Sequence, residues 1–200
     1  SATTAEEARW LEDAGADAII AQGYEAGGHR GTREPSTDIG LGGIALIPQV
    51  ADAVKVPVIA AGGIADGRGI AAAFALGASG VQIGTAFLST PESGINPLYR
   101  NALLRGADMG TALTRTISGR MARGLRNRFI EEMRAHEDES LAFPLQYGLT
   151  GPLQVASAKK GSDEMLAMWA GQAVALNRAM PAAELLETLV EETRAVLAVL

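Results

Sequence analysis

The sequence predicts an α/β fold with a parallel sheet, and three observations carry that prediction. Apolar runs that pass into glycine recur across residues 1–92 as ADAIIAQG, VPVIAAGG and GVQIG. Segments with apolar residues at helical spacing stand between them, and turn-forming residues separate the two kinds. Continuous apolar runs suit strands covered on both faces, and helix–strand alternation is the order that right-handed parallel units produce.

The elements follow in order. Thr4 stands three residues before Glu7, the spacing of a capping box, so a short helix should run through Trp10 and Leu11 and stop near Gly15. Asp17–Gly23 is the first strand. The stretch from Tyr24 to Gly43, rich in Gly, Thr and Pro, reads as a long loop, and long loops inside compact domains are usually functional. Ile44–Val54 has helical spacing, and Lys55-Val56-Pro57 opens the second strand. Asp66 is placed to cap a helix through Ala71–Leu76 that ends at Gly77, and GVQIGTAFL is expected as the third strand. Beyond Pro91, helices are expected near Pro97–Arg105, Asn127–Leu141 and Ser162–Arg178. A fourth opens at Pro181, a residue well tolerated in a first helical turn, and bears a stripe of Leu185, Leu186, Leu189, Val190, Val196 and Leu197. The division expected is residues 1–92, three parallel strands with their helices, and residues 93–200, a helical segment packing on them. Three parallel strands cannot close a barrel, which needs eight. The sheet is therefore small and open, or the sequence is a fragment.

Composition narrows the function classes. With 48% hydrophobic residues but only 4% aromatic, the core must be filled by Ala, Leu, Ile and Val. A net charge of −6 argues against general affinity for nucleic acid or anionic membranes. The chain has no cysteine, which excludes disulfides and thiolate catalysis and fits a reducing cytoplasm. Its first residues, SATTAEEARW, do not read as a signal peptide. Gly69 to Pro91 carries no charge, yet its glycines, Ser79, Gln82 and Thr85 argue against a membrane span.

Two motifs carry chemistry. In Gln22-Gly23-Tyr24-Glu25-Ala26-Gly27-Gly28-His29-Arg30-Gly31, glycines flank a histidine at a strand's C-terminal end, where α/β enzymes place reactive groups. Imidazole is the side chain best suited to proton transfer near neutral pH. A flexible glycine loop with a surface histidine is the competing reading. The second motif pairs Ala60-Ala61-Gly62-Gly63-Ile64 with Gln82-Ile83-Gly84-Thr85. Two successive strand ends without bulky side chains, together with the following helix start, make a backbone cradle for phosphate; the alternative is tight turns with no ligand. Arg115, Arg120, Arg123, Arg126 and Arg128 form a basic stretch that could cover a phosphate or meet a partner, although such runs are usually solvated. His136, among acidic residues, reads as exposed. No metal-ligand spacing is present.

Taken together, AQGYEAGGHRG, VPVIAAGGIADGRG and GVQIGTAFL resemble the nitronate monooxygenase (2-nitropropane dioxygenase) family, as do SGRMARGLRNRF, FPLQYGLTGPL and MWAGQAVAL, in register over the chain. The resemblance implies a (β/α)8 TIM-barrel type of fold binding FMN, of which this chain would supply the last three βα units and a helical C-terminal segment. It implies His29 as catalytic base, Gln22, Gly27 and Gly28 bordering the flavin, and Gly62, Gly63, Gln82, Ile83, Gly84 and Thr85 holding its phosphate. Trp169 and Gln172 are family-like without an assigned role. The reaction implied is oxidation of alkyl nitronates by O2 to a carbonyl compound and nitrite, with no metal. An FMN-dependent enoyl-acyl-carrier-protein reductase or a quinone reductase of the same barrel is the alternative enzyme, and an inactive fragment with weak FMN binding is the alternative outside enzymes. A phosphate-sugar isomerase lacks the strand-end Lys or acid its chemistry needs. The preferred nitronate and the oligomeric state stay open.

Overall fold

The structure, a computed structural model, describes residues 1–35 and 38–199; Ser36 and Thr37 of the long loop, and Leu200, lie outside the described residues. Ala2 pairs in parallel with Ala21, and helix α1 (Ala5–Asp13) follows. The Thr4 hydroxyl accepts the Glu7 N–H as the capping-box spacing predicts. The Glu7 carboxylate reaches back to the Thr3 N–H and also accepts from Thr32 Oγ1 and the Arg33 N–H, tying the long loop to the helix start.

Strand β1 (Ile19–Gln22), the two-residue strand β2 (Gly28–His29), helix α2 (Gly43–Ala53), strand β3 (Val58–Ala61), helix α3 (Gly67–Ala75) and strand β4 (Gly80–Gln82) come next. The sheet order is β1-β3-β4, parallel throughout, with Ile19 opposite Val58 and Ile59 opposite Gly80. These are three βα units of the barrel-type α/β fold. Ile19, Val58 and Ala60 of the sheet bury against Leu46 and Val50 of α2, a core of small and aliphatic side chains. The third strand is shorter than GVQIGTAFL: it ends at Gln82, and Thr85–Leu88 coils into a helical turn, α4. Its neighbour β3 leaves the sheet at Ala61, opposite Gln82, so residues beyond have no ladder to join.

The C-terminal half carries helices α5 (Pro97–Leu104) and α6 (Gly106–Met109), strands β5 (Thr111–Thr114) and β6 (Ala122–Leu125), then helices α7 (Arg128–Met133), α8 (Gln146–Lys159) and α9 (Ala182–Leu197). β5 and β6 pair with β2 in a second, antiparallel sheet of order β2-β6-β5, which the helical expectation omits. The helix expected over Asn127–Leu141 stops at Met133 and continues as 3-10 turns to Glu139. The helix expected over Ser162–Arg178 does not form. Residues 168–170 lie beside β6 instead, where the Leu125 N–H donates to Met168 O, the Ala170 N–H donates to Arg123 O, and Trp169 bridges to Gly124, while Gln172–Leu176 forms a 3-10 turn. The segment's apolar positions Leu166, Met168, Ala170 and Val174 are buried, so tertiary pairing has replaced the helical ladder that their spacing suggested. The helix stands instead at α8, over Gly148, Gly151 and Pro152, which argue against one locally.

α9 packs across α3. A Cβ at Gly67 would meet the Glu192 and Thr193 main chain, so glycine is what permits the approach. Leu185 and Leu189 are buried here with Ala65 and Ile70, while Leu186, Val190 and Leu197 of the same stripe remain exposed.

Candidate active site

His29 ends strand β2, with Gly28 opposite Arg123 and His29 opposite Ala122 of β6. Gly28 has φ +77°, a conformation that favours glycine and sets the turn into the histidine. The imidazole is half-buried among three aromatic rings: Phe143 at 5.4 Å, Tyr147 at 6.4 Å and Trp169 at 5.5 Å between centroids. Nε2 lies 2.8 Å from the Ser118 hydroxyl. Burial first, and the positive charge of Arg120 second, hold the His29 pKa below its ordinary value. The ring is therefore neutral at physiological pH and able to receive a proton. Burial likewise pushes the Tyr147 phenol up.

The strand ends form an open cleft of about 230 Å³ beside this box. Gln22, Gly27, Gly28, Gly62, Gly63, Gln82, Gly84 and Thr85 line it, with Trp169 and Gly171 closing one side. The structure thus gathers these sequence-identified positions from three strand ends and one distant segment. Ile83 is not among the lining residues: its side chain packs beside Ile70, Leu185 and Leu189. His29 does not line the cleft either. Its neighbour Gly28 and its ring partner Trp169 do, which places the imidazole at the cleft's border.

The glycines divide into two groups. A Cβ at Gly27 would stand 2.5 Å from Gly171 N and one at Gly62 would stand 2.8 Å from Ala26 N, so these two serve close main-chain packing. At Gly28 and Gly84 a Cβ would have no atom within 4 Å, so their bareness leaves room for something that is not protein. The start of α3 contributes less than the motif suggests. The Asp66 carboxylate accepts the Arg68 and Gly69 N–H groups, and Glu192 accepts the Gly67 N–H, so those amides are already used. The Thr85 hydroxyl accepts the Gly171 N–H at 2.9 Å, fastening the two sides together. Glu25 does the same, accepting the Gln172 N–H on its carbonyl and the Gly43 N–H on its carboxylate.

Gln22 borders the cleft but spends its amide on the loop. Its Nε2 donates to His29 O at 3.1 Å, and its Oε1 accepts the Gly31 N–H at 2.6 Å. Arg30, 1% exposed, donates to Asp38 from Nε, at 2.7 Å, and from Nη2, and to Gly23 O from Nη1 at 2.8 Å. Burial alone would raise the Asp38 carboxyl, but the Arg30 bonds outweigh it and hold the group below its ordinary range. The basic stretch splits. Arg123 is buried and donates twice to Tyr24 O, and Arg120 donates to the carbonyls of Arg30 and Thr32. Arg126 and Arg128 pair with Glu131 and Glu132 at the surface. His136 is exposed against Glu139 at 2.8 Å. Sequence reading missed Ser118, Phe143 and Tyr147, since nothing local marks residues whose importance lies in a histidine far along the chain. Among the described residues, no group of three His, Asp or Glu could hold a metal ion, and no helix is long and apolar enough to cross a membrane.

The geometry is matched by known proteins. The family model described as nitronate monooxygenase covers residues 1–192. The chain belongs to the nitronate monooxygenase family. The nitronate monooxygenase of Pseudomonas aeruginosa is 53% identical over 195 residues, covering 96% of this chain and 56% of that protein. A probable nitronate monooxygenase of Staphylococcus aureus is 44% identical, covering 96% and 55%. Among solved structures, nitroalkane oxidase from Streptomyces ansochromogenes superposes with a TM-score of 0.94 at 46% identity, over 99% of this chain and 57% of that one. FabK from Thermotoga maritima superposes with a TM-score of 0.82 at 35% identity, over 98% and 60%. The chain spans about half the length of the curated nitronate monooxygenases it matches.

Proposed function

We propose that this chain forms the phosphate-holding and proton-transfer part of an FMN-dependent enzyme that oxidises alkyl nitronates with O2 to a carbonyl compound and nitrite. The observation that carries the reading is a half-buried imidazole, held in an aromatic box, at the border of a cleft lined by bare glycines. The cleft suits a flavin phosphate because Gly28 and Gly84 leave space that a Cβ would take. Gly62, Gly63, Gln82, Gly84, Thr85 and the Ile83 main chain would hold the phosphate, with Gln22, Gly27 and Gly28 along the flavin's border. When bound, FMN supplies the electron acceptor that oxygen restores. A nitronate is already a carbanion equivalent and needs no base. A neutral nitroalkane does, and His29 takes its α-proton, while Phe143, Tyr147 and Trp169 exclude water around the ring. A cysteine-free chain fits a reducing cytoplasm as the setting.

Absorbance of the purified chain after gel filtration with FMN, followed by oxygen uptake with a nitronate, tests the reading. Flavin bands and oxygen uptake are expected. Retained flavin that NADH bleaches, without oxygen uptake on nitronate, would instead assign a pyridine-nucleotide-oxidising reductase. His29→Asn is expected to lower turnover of neutral nitroalkane about 10²–10⁴-fold while FMN and nitronate turnover remain. Unchanged nitroalkane turnover would remove His29 as base.

A further inference from the structure

We infer that Ser118 is a positioning residue that sets the tautomer of His29, so that Nε2 carries the ring proton and Nδ1 holds the free electron pair. The inference rests on the reading of His29 as the base and names the atom that receives the proton.

A serine hydroxyl has one hydrogen to give and two lone pairs to offer. Ser118 Oγ lies 3.0 Å from the Arg120 carbonyl, a group that can only accept. Donation to that carbonyl directs the hydrogen away from the imidazole. What Oγ turns toward its other neighbours is lone-pair density. It accepts the Arg120 N–H at 3.3 Å and faces His29 Nε2 at 2.8 Å. An oxygen whose hydrogen is committed can only receive from Nε2, so Nε2 is an N–H. A neutral imidazole has one donor and one acceptor nitrogen, which leaves Nδ1 as the acceptor.

The surroundings of Nδ1 agree. It has no hydrogen-bond partner among the described residues, and it is not one of the atoms that are both buried and unpaired. Nδ1 is therefore not sealed inside the protein. Ser118 itself is fully buried and cannot drift from the ring. It stands beside Gly119, whose φ of +89° and crowding against the main chain of residues 141–143 lock the turn. The lowered pKa of His29 keeps the ring in the neutral form for which a tautomer is defined.

The chain has two histidines, so long-range ¹H–¹⁵N spectra of the imidazoles can be assigned with His136→Asn. At a pH above the titration of His29, the expected pattern is a pyridine-type shift at Nδ1 and a pyrrole-type shift at Nε2. The opposite pattern in the wild-type chain overturns the inference, and no variant is needed to see it. Ser118→Ala should then move both nitrogens toward averaged shifts, with amide signals of the parallel sheet unchanged. A Ser118→Ala spectrum that keeps the wild-type imidazole pattern overturns the role of Ser118. Failure of His29 as base would appear separately, as nitroalkane turnover that survives His29→Asn while these spectra stay as expected.

Discussion

The two sides of the candidate site are built by different means. The glycine side draws on consecutive strand ends of one parallel sheet, so Gly62, Gly63 and Gly84 come together by topology. The histidine side draws His29, Ser118, Tyr147 and Trp169 from four separate stretches, with Ser118 89 residues from the ring it holds. A bare backbone facing a ligand needs only local turn chemistry. A side chain held in one orientation and one protonation state needs supporting contacts from far along the chain. The long loop joins the two, and Arg30 is the side chain that holds its first turn.

The comparison breaks most visibly at Arg30. Arg30→Met leaves the Asp38 carboxylate and the Gly23 carbonyl without their buried donor, and should cost about 3–5 kcal/mol in urea unfolding. A loss below about 1 kcal/mol would show that the loop stands without this frame. Gly27→Ala comes next. Its Cβ would press on the main chain of Ala170 and Gly171, and about 3 kcal/mol of destabilisation is expected. Gly84→Ala sharpens the contrast because its Cβ meets nothing within 4 Å. Stability should stay within about 0.5 kcal/mol, while FMN affinity in a spectral titration falls about tenfold or more. Equal effects from the two substitutions would erase the division of the glycines into packing and ligand-facing groups.

Titration tests the burial of His29. The His29 imidazole is expected to reach its NMR midpoint below the ordinary value of 6.5, because burial and Arg120 disfavour its charged form. The unfolded chain then takes up the proton first as pH falls. The stability His29 contributes is therefore complete above about pH 6.5 and is lost as pH falls through the lower folded value. A midpoint at or above 6.5 would contradict the burial account. The smallest effect belongs to the exposed pair: Glu139→Gln beside His136 should change stability by less than about 0.5 kcal/mol.

Much of the parallel half was legible, and for identifiable reasons. Thr4 and Asp66 cap their helices as their spacing indicates, and Gly80 to Gln82 pairs where the apolar run places it. These signals are local, acting over one turn or one strand. The failures are equally specific. Ser162–Arg178 has helical spacing, yet Met168 and Ala170 bond to β6, because hydrogen bonds offered by a distant strand outweighed a weak local preference. Pro152 and two glycines concealed α8 for the converse reason.

By itself, the sequence determined the α/β class, the strand ends that shed their side chains, and a histidine set between glycines. Each follows from residue type and spacing over a few positions. Only the tertiary structure decided which glycines pack and which face the cleft, that Arg30 and Arg123 are buried, and that Ser118 meets His29. Those outcomes depend on which distant segment supplies the partner for a buried polar group. Local spacing carries no record of that choice.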